Sequence, residues 1–396
     1  MARYKLALIG AGRRGAGAHL PVFPVLSDTF EFVAICDIDR EVAERYARQY
    51  GVRAYTNLRE MVANEELDVV DVTVPAPAHH AVCVYLARHG IHALCETPIA
   101  PTRRLADMMI QAAQENSTVL EIAENYYRAP IERFKSEVIR AGVIGDVSRI
   151  YRIFHEGGYH GMSIIRIRAG GNPVQILGIA HQSPVIRHTD RMRRTHTQEN
   201  WSLGYLDFDN GVAAVMIYSN VIHARSLGRK MTGIAQIDGT EGAIVEDTVY
   251  VVPPEELETG AVGRPYQPVR VTRQVDGVTV LDRIELQLPD RTIVWENPYR
   301  ELPLREGQIA VADELMSVAR ALDTNGPPEY GAQAGRLDQE MNLAMGESAR
   351  RGRATLQFPL EEETAAEIAI HQGYPQQYGC EAEDIEGLLD VFFPRR

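Results

Sequence analysis

A glycine-rich segment near the start of the chain has the residue types and spacing of a phosphate-binding turn. Gly10, Gly12 and Gly15 form the pattern G-x-G-x-x-G directly after the apolar run "KLALIG". In such a pattern the first glycine permits a tight turn, the second lets a pyrophosphate approach the backbone, and the third lets the next helix pack on the sheet. The phosphate then lies at a helix N-terminus, which favours an anion. Arg13 and Arg14, inside the pattern, are predicted to contact the same ligand.

A carboxylate further along the chain supports the interpretation of these glycines as a dinucleotide-binding turn. Asp37 ends the second apolar run, "EFVAICD", 22 residues after Gly15. A carboxylate at that place binds the ribose hydroxyls of a dinucleotide and repels a 2′-phosphate, so NAD is predicted rather than NADP. Arg40 lies close to it and leaves NADP open. The plain alternative is that the three glycines only form a turn.

The next motifs resemble the Gfo/Idh/MocA oxidoreductase superfamily. Pro75, His79 and Gly90 precede "HALCETP" with the family's spacing, and "ENYYRAP", "RAGVIGDVSRI" and "MNLAMGESARRGRATLQFPL" extend the likeness to about residue 360. The resemblance implies a Rossmann domain, then a domain with an open sheet that builds homo-oligomers, either dimers or tetramers. It also implies cofactor contacts at five positions: Pro75, His79, Glu96, Thr97 and Asn125.

Two polar groups that the family's dehydrogenases use are replaced in this chain. In those enzymes the lysine of E-K-P and the histidine of a D-x-G-x-H motif assist removal of the sugar hydroxyl proton. The two replaced groups are that lysine and the aspartate of D-x-G-x-H. Thr97 stands at the lysine position, and threonine cannot move a proton in the same way. The segment "GGNPVQILGIAHQSP" resembles the second motif and places His181 at the histidine and Leu177 at the aspartate. His181 is therefore the predicted acceptor of the hydroxyl proton, because the pKa of imidazole suits transfer near neutrality.

A subset of the superfamily, the NAD-dependent glycosidases, also lacks the lysine. The segments "ENYY" and "EGGYHG" resemble that subset, which implies glycoside hydrolysis by transient C3 oxidation, β-elimination, water addition and re-reduction. Tyr159 is then the candidate C2 base if a neighbour lowers its pKa, His160 is the alternative, and Glu156 or Glu124 orients or protonates. A packed aromatic, a turn histidine and solvated carboxylates are the simpler explanations. A sugar or cyclitol dehydrogenase working without the lysine, and a non-catalytic NAD-binding protein, are the competing functions.

Arginines cluster on both sides of His181. Arg187, Arg191, Arg193 and Arg194 lie just after it. Arginine binds carboxylate, sulfonate or phosphate through paired hydrogen bonds, so an anionic sugar such as a uronide or sulfoquinovoside is predicted. A surface or subunit-interface network of ion pairs is the alternative. The predicted substrate-binding residues are Tyr127, Arg166, Arg168, Arg191, Arg193 and Arg194.

The elements that position these residues follow from the apolar pattern. Short apolar runs alternate with helical periodicity up to about residue 125, which is typical of a parallel sheet covered on both faces. Beyond it, the segments "SRIYRIFHEGGY", "WSLGYLDFD", "GVAAVMIYSN" and "GIAQIDG" alternate as the strands of an open sheet do. The predicted class is α/β: a doubly wound Rossmann domain (1–125), an α+β domain with an open, mostly antiparallel sheet (126–360), and an acidic extension without an assigned role (361–396).

Composition limits the partners. A formal charge of −13 argues against nucleic acid, which is bound mainly through Lys and Arg. No run approaches the ~18 apolar residues that span a bilayer. The four cysteines are scattered without metal-ligand spacing, which predicts buried thiols in a reducing cytoplasm and no metal. A small carbohydrate is the predicted substrate.

Overall fold

The first third of the chain alternates strands and helices. The computed structural model describes residues 3–153, 158–190, 193–228, 234–258 and 262–394. The strands are β1 (Tyr4–Ile9), β2 (Phe30–Cys36), β3 (Arg53–Tyr55), β4 (Val69–Val72), β5 (His92–Glu96) and β6 (Leu120–Ala123). The helices are α1 (Arg40–Tyr50), α2 (Leu58–Asn64), α3 (His79–Arg88) and α4 (Arg103–Glu115). The strands pair in parallel in the order β3-β2-β1-β4-β5-β6, and the order reverses between β1 and β4, where doubly wound sheets bind ligands.

Local sequence explains these elements. Every residue of β4 is buried, as expected of a central strand covered by helices on both faces. The side chain of Asp39 caps α1 by accepting hydrogen bonds from the N–H groups of Glu41 and Val42, and the helix ends at Gly51 in a left-handed conformation (φ 71°).

The second sheet follows α5 (Pro130–Arg140). Within the described residues its strands are β7 (Val147–Ile153), β8 (Pro173–Thr189), β9 (Thr195–Phe208), β10 (Ala213–Ser219), β11 (Ile234–Gly239), β12 (Gly242–Val245), β13 (Thr248–Val251), β14 (Arg264–Tyr266) and β18 (Leu356–Gln357). Their order is β14-β13-β12-β11-β7-β10-β9-β8-β18, antiparallel except for the pair β7 and β10. Strands β15 (Val269–Val275), β16 (Val278–Gln287) and β17 (Thr292–Glu296) form a small separate sheet. The predicted fold class is confirmed.

Helices cover one face of the long sheet. The remaining helices are α6 (Gly158–Ala169), α7 (Asn220–His223), α8 (Glu306–Thr324), α9 (Ala332–Arg350), α10 (Ala365–Tyr378) and α11 (Ile385–Leu388). Met162 and Ile165 of α6 and Met341 of α9 share one core with Leu206 and Met216 of the sheet. This packing holds α6, which carries Tyr159 and His160, against the sheet.

Two segments differ from their sequence interpretation. "SRIYRIFHEGGY" was expected to be a strand, but within the described residues β7 covers Val147–Ile153, while Gly158 and Tyr159 belong to α6. The segment assigned to the second catalytic motif lies largely in β8 and not next to the first sheet. The domain boundaries stay predictions.

Candidate active site

The carboxyl ends of the central parallel strands open onto a cleft of about 930 Å³. A cleft of this size at the switch point of a doubly wound sheet is the usual place for a ligand. Most residues predicted to bind the cofactor line it: Gly10, Gly12, Arg13, Arg14, Asp37, Pro75, Glu96, Thr97 and Asn125.

The glycine-rich turn has no room for side chains at two positions. Gly10 has φ +90°, and a Cβ there would lie 2.8 Å from the carbonyl carbon of Thr73. A Cβ on Gly15 would collide with Thr73 Oγ1 and would lie 2.5 Å from the carbonyl oxygen of Gly10. The turn therefore presses against the end of β4, as close packing of a dinucleotide-binding turn requires.

Asp37 marks the end of the cleft that suits the adenosine ribose. It is 3% exposed, and its Oδ1 accepts the N–H of Asp39 at 2.9 Å. The Arg40 guanidinium lies 3.8 Å from Glu44 on the outer side of α1 and is not part of the cleft lining. Arg40 thus provides no cation at the ribose in this structure, which fits NAD better than NADP.

His79 supports the cleft from behind. Its Nδ1 and Nε2 lie 2.9 Å from the carbonyl oxygens of Pro98 and Val74, respectively. The ring is buried, and this burial lowers the pKa of His79. It links the segments that follow β4 and β5 and lies outside the cleft lining.

A buried charge cluster fixes Glu96 on the opposite side of the switch point from Asp37. The Glu96 carboxylate contacts Arg14 and lies 2.8 Å from His19 Nε2, while His19 Nδ1 lies 2.7 Å from Asp71. Burial opposes the charge of His19, but Asp71 and Glu96 outweigh it and raise the pKa of His19 to about 10. Burial also opposes ionisation of Glu96, but His19 and Arg14 lower the pKa of Glu96 to about 2. The ionised Glu96 accepts the N–H of Thr97 at 3.1 Å and so holds that residue in place.

His160 is the imidazole that lies in the cleft, beside Asn125 and Tyr126. Its Nδ1 is 2.8 Å from Glu124 Oε2, and the Glu124 side chain, wholly buried, also accepts the N–H of Tyr126 at 3.1 Å. The Tyr126 ring packs on the imidazole with centroids 4.2 Å apart. When Nδ1–H donates its hydrogen bond to the Glu124 carboxylate, Nε2 is left unprotonated and can accept a substrate proton. This is the arrangement of a general base held by a carboxylate.

The structure does not bring His181 to this cleft. His181 is exposed on β8 opposite Trp201 of β9, and it is absent from the cleft lining. The spacing of Glu156, Gly158 and His160 gives E-x-G-x-H, which has the same spacing as D-x-G-x-H. Since His160 lines the cleft and His181 does not, we propose His160 as the counterpart of the family histidine. Glu156 itself lies outside the described residues.

Tyr159 faces away from the cleft. Its hydroxyl lies 3.0 Å from that of Tyr330, and burial raises the pKa of Tyr159 well above its ordinary value. The prediction of Tyr159 as a C2 base required a lowered pKa, and the surroundings have the opposite effect. A phenol this deeply buried is a poor base.

The predicted substrate arginines are dispersed. Arg166 forms two hydrogen bonds with Asp338, at 2.6 and 2.9 Å, and lines a separate cavity of about 790 Å³ together with Tyr127. Arg168 is buried against Glu132 at 2.9 Å. Arg193 is exposed and has a positive φ of 61°, and Arg191 lies outside the described residues.

Arg194 is different, because it lines the cofactor cleft. Tyr218 and His223, which no motif marked in the sequence, lie in the same lining. Four apolar residues from the end of the chain also line it: Leu388, Leu389, Val391 and Phe393.

In the part of the chain that the structure describes, no group of three or more His, Cys, Asp and Glu side chains could hold a metal ion. Nor is any helix there long and apolar enough to cross a membrane.

The sheet order, the glycine turn and Asp37 define a dinucleotide-binding Rossmann domain. Residues 4–124 match the Gfo/Idh/MocA family model, described as an oxidoreductase family with an NAD-binding Rossmann fold. The N-terminal domain is therefore similar to the NAD-binding domain of this oxidoreductase family, and the prediction of NAD as the cofactor is confirmed.

Relatives with assigned names match mainly through this domain. D-apiose dehydrogenase of Paraburkholderia graminis is 33% identical over 144 residues, which are 36% of this chain and 38% of that protein. Levoglucosan dehydrogenase of Pseudarthrobacter phenanthrenivorans is 29% identical over 155 residues, 37% of this chain and 40% of that protein. The matched part thus spans about two fifths of these relatives' length.

Solved structures extend the likeness in fold to most of the chain. A levoglucosan dehydrogenase in complex with NADH and levoglucosan superposes with a TM-score of 0.68 and 19% identity, covering 90% of this chain and all of that one. An oxidoreductase from Klebsiella pneumoniae, described as NAD binding, superposes with a TM-score of 0.67 and 20% identity. The match covers 90% of this chain and 99% of that one. Both domains therefore have the architecture of these oxidoreductases.

Proposed function

We propose that the protein is an NAD-dependent dehydrogenase that oxidises a secondary hydroxyl of a small sugar or cyclitol, with His160 as the base. The observation that carries the proposal is the contact of His160 Nδ1 with the buried Glu124 carboxylate inside the cofactor cleft. The names of the relatives, D-apiose dehydrogenase and levoglucosan dehydrogenase, support the same reaction class.

The reaction divides between the cofactor and the chain's own groups. NAD, when bound, accepts the hydride that leaves the carbinol carbon. His160 Nε2 takes the hydroxyl proton, and the Glu124 carboxylate stabilises the resulting imidazolium through Nδ1. In this scheme Thr97 transfers no proton. Its backbone N–H donates a hydrogen bond to the Glu96 carboxylate, which keeps the end of β5 in place beside the cleft. The missing lysine is thus compatible with oxidation by a histidine alone.

This proposal reverses the order of the two leading sequence hypotheses. Hydrolysis by elimination needs a second base for the C2 proton, and Tyr159, the first candidate, is buried away from the cleft with a raised pKa. His160 remains, and one histidine suffices for net oxidation. Since the relatives' names also favour dehydrogenases, the dehydrogenase replaces the glycosidase as the main proposal.

The proposed substrate carries an anionic group. Arg194 lines the cleft together with Tyr218 and His223. A guanidinium there can hold a carboxylate by paired hydrogen bonds, while the ring residues offer a face for the sugar. A sugar acid is therefore preferred over the corresponding neutral sugar.

The test is a set of parallel assays on the full-length protein with NAD. Free sugars, cyclitols, matched sugar acids and aryl glycosides are compared in D₂O buffer, and NADH and released aglycone are measured separately. We expect NADH in proportion to the free sugar or sugar acid consumed, with the acid preferred. Aglycone release without NADH, with deuterium at C2, would instead establish the glycosidase. If the protein binds NAD but produces neither NADH nor free aglycone from any substrate, both reactions are refuted for these compounds.

A further inference from the structure

The end of the chain reaches back to the N-terminal domain. Residues 382–394, here called the C-terminal arm, contain α11 and the turn that follows it. Ile385, Leu388 and Phe393 are at most 8% exposed and share one core with Ala81 and Val82 of α3. The arm is therefore packed on the dinucleotide-binding domain and is an integral part of its core.

Polar contacts fix the position of the arm. His80 Nε2 lies 2.7 Å from the carbonyl oxygen of Ala382, and burial lowers the pKa of His80 to about 4, so the neutral ring donates this hydrogen bond. Arg59 of α2 donates to the carbonyl oxygen of Glu386 at 2.7 Å and to the Asp390 carboxylate at 2.6 Å. These contacts attach both ends of the arm to α2 and α3.

The arm faces the side of the cleft that Asp37 occupies. That side is lined by Ile38 after β2, by residues 56–58 before and at the start of α2, and by Ala78, Ala81 and Val82 at α3. Leu389 and Val391 are half-buried and complete the lining. Because the Asp37 carboxylate suits the adenosine ribose, the adenine of a bound dinucleotide would lie on this side.

We propose that the C-terminal arm forms one wall of the adenosine subsite, with Leu389 and Val391 packing on the adenine. Adenine is a flat ring that aliphatic side chains cover well, and ligand sites are mostly apolar with a few polar groups that fix orientation. Here Asp37 is the polar group, and the arm provides the apolar wall. The inference rests on NAD binding and is independent of which hydroxyl is oxidised.

The test uses ADP-ribose, which carries the adenosine half of NAD and no nicotinamide. We expect the double variant Leu389→Ala/Val391→Ala to raise the Kd for ADP-ribose roughly five- to thirty-fold, measured by titration calorimetry. Phe392→Ala is the matched control, since Phe392 belongs to the same arm but is 62% exposed and outside the cleft lining. The Kd of the Phe392→Ala variant for ADP-ribose should match that of the unmodified protein.

A second measurement needs no variant. Bound ADP-ribose should slow amide hydrogen exchange in the arm as well as in the glycine turn. An unchanged Kd in the folded double variant, or protection of the glycine turn with no change in the arm, would overturn the proposal. Because neither readout involves substrate turnover, failure of the proposed dehydrogenase activity would leave this test intact.

Discussion

His160 is the residue on which the proposed reaction depends most directly. Replacing it with Ala removes the group that takes up the substrate proton, so kcat should fall by about 10²–10⁴-fold. The Kd for ADP-ribose should not change, because His160 lies on the Glu96 side of the cleft, away from Asp37. Steady-state kinetics on the preferred substrate and calorimetry on ADP-ribose measure the two quantities.

His181 supplies the matched control for that experiment. His181→Ala removes an exposed imidazole from β8, outside the cleft lining, and should leave kcat within about twofold of the unmodified enzyme, as is usual for a surface change. A large loss of kcat in His181→Ala, with normal turnover in His160→Ala, would restore the sequence prediction and exclude the mechanism proposed above.

The two histidines also show what the sequence could and could not reveal about the site. Gly10, Gly12 and Asp37 were predictable because strand, turn and helix are consecutive there and the motif fixes their geometry. The E-x-G-x-H spacing that ends at His160 was visible as well. The resemblance of "GGNPVQILGIAHQSP" to the D-x-G-x-H motif favoured His181 instead, and His160 was predicted only as the alternative C2 base.

At the scale of elements, helix α6 is the part of the chain whose secondary structure was predicted wrongly, as a strand at Tyr159. Its residues Gly158–Ala169 are buried on nearly every side, with Tyr159, Met162 and Ile165 among the buried ones. A helix without a polar face has no clear 3.6-residue period, so periodicity could not distinguish it from a strand. The Rossmann helices, such as α1 and α4, each have an exposed face and were recognised from the sequence.

Helix α8 carries a buried carboxyl group whose titration should be measurable. Glu314 is wholly buried, and neither of its oxygens has a hydrogen-bond partner within the described ranges. Burial raises the pKa of Glu314 to about 8, so the folded protein keeps this proton at pH values where the unfolded chain has lost it. The group therefore lowers the free energy of unfolding as pH rises between the ordinary glutamate pKa and about 8.

Glu314→Gln should remove that pH dependence. The free energy of unfolding of the variant should exceed that of the unmodified protein by about 1–3 kcal/mol at about pH 8. The difference should be much smaller at about pH 5, and urea unfolding measures both values. Glu306→Gln, at the first residue of the same helix with its side chain 44% exposed, is the control and should show no such change. An equal stability difference at both pH values would mean that Glu314 is ionised throughout.

At the scale of the whole molecule, the nine-stranded sheet has one face without a helix in the described part of the chain. Side chains alternate along each strand, so those that do not face α6 and α9 share the other face. This open face carries six apolar residues that pair across neighbouring strands: Leu177 and Ile179 on β8, Leu203 and Tyr205 on β9, and Val215 and Ile217 on β10. All six are half-buried or exposed, and Tyr205 is 40% exposed. An antiparallel sheet that faces water usually has polar residues there, so an apolar face indicates a contact with another chain.

The open face gives the predicted homo-oligomer a direct test. Size-exclusion chromatography with light scattering should show a dimer or tetramer, and Leu203→Asp should shift it to smaller species, because a buried unpaired carboxylate at an interface is costly. Val269→Asp is the matched control: it places the same charge on β15 of the separate sheet, where Val269 is 56% exposed, and should leave the mass unchanged. A monomeric unmodified protein at about 10 μM, a concentration at which standard interfaces are occupied, would contradict the prediction. So would an oligomer that Leu203→Asp leaves intact, because its interface would then lie elsewhere on the surface.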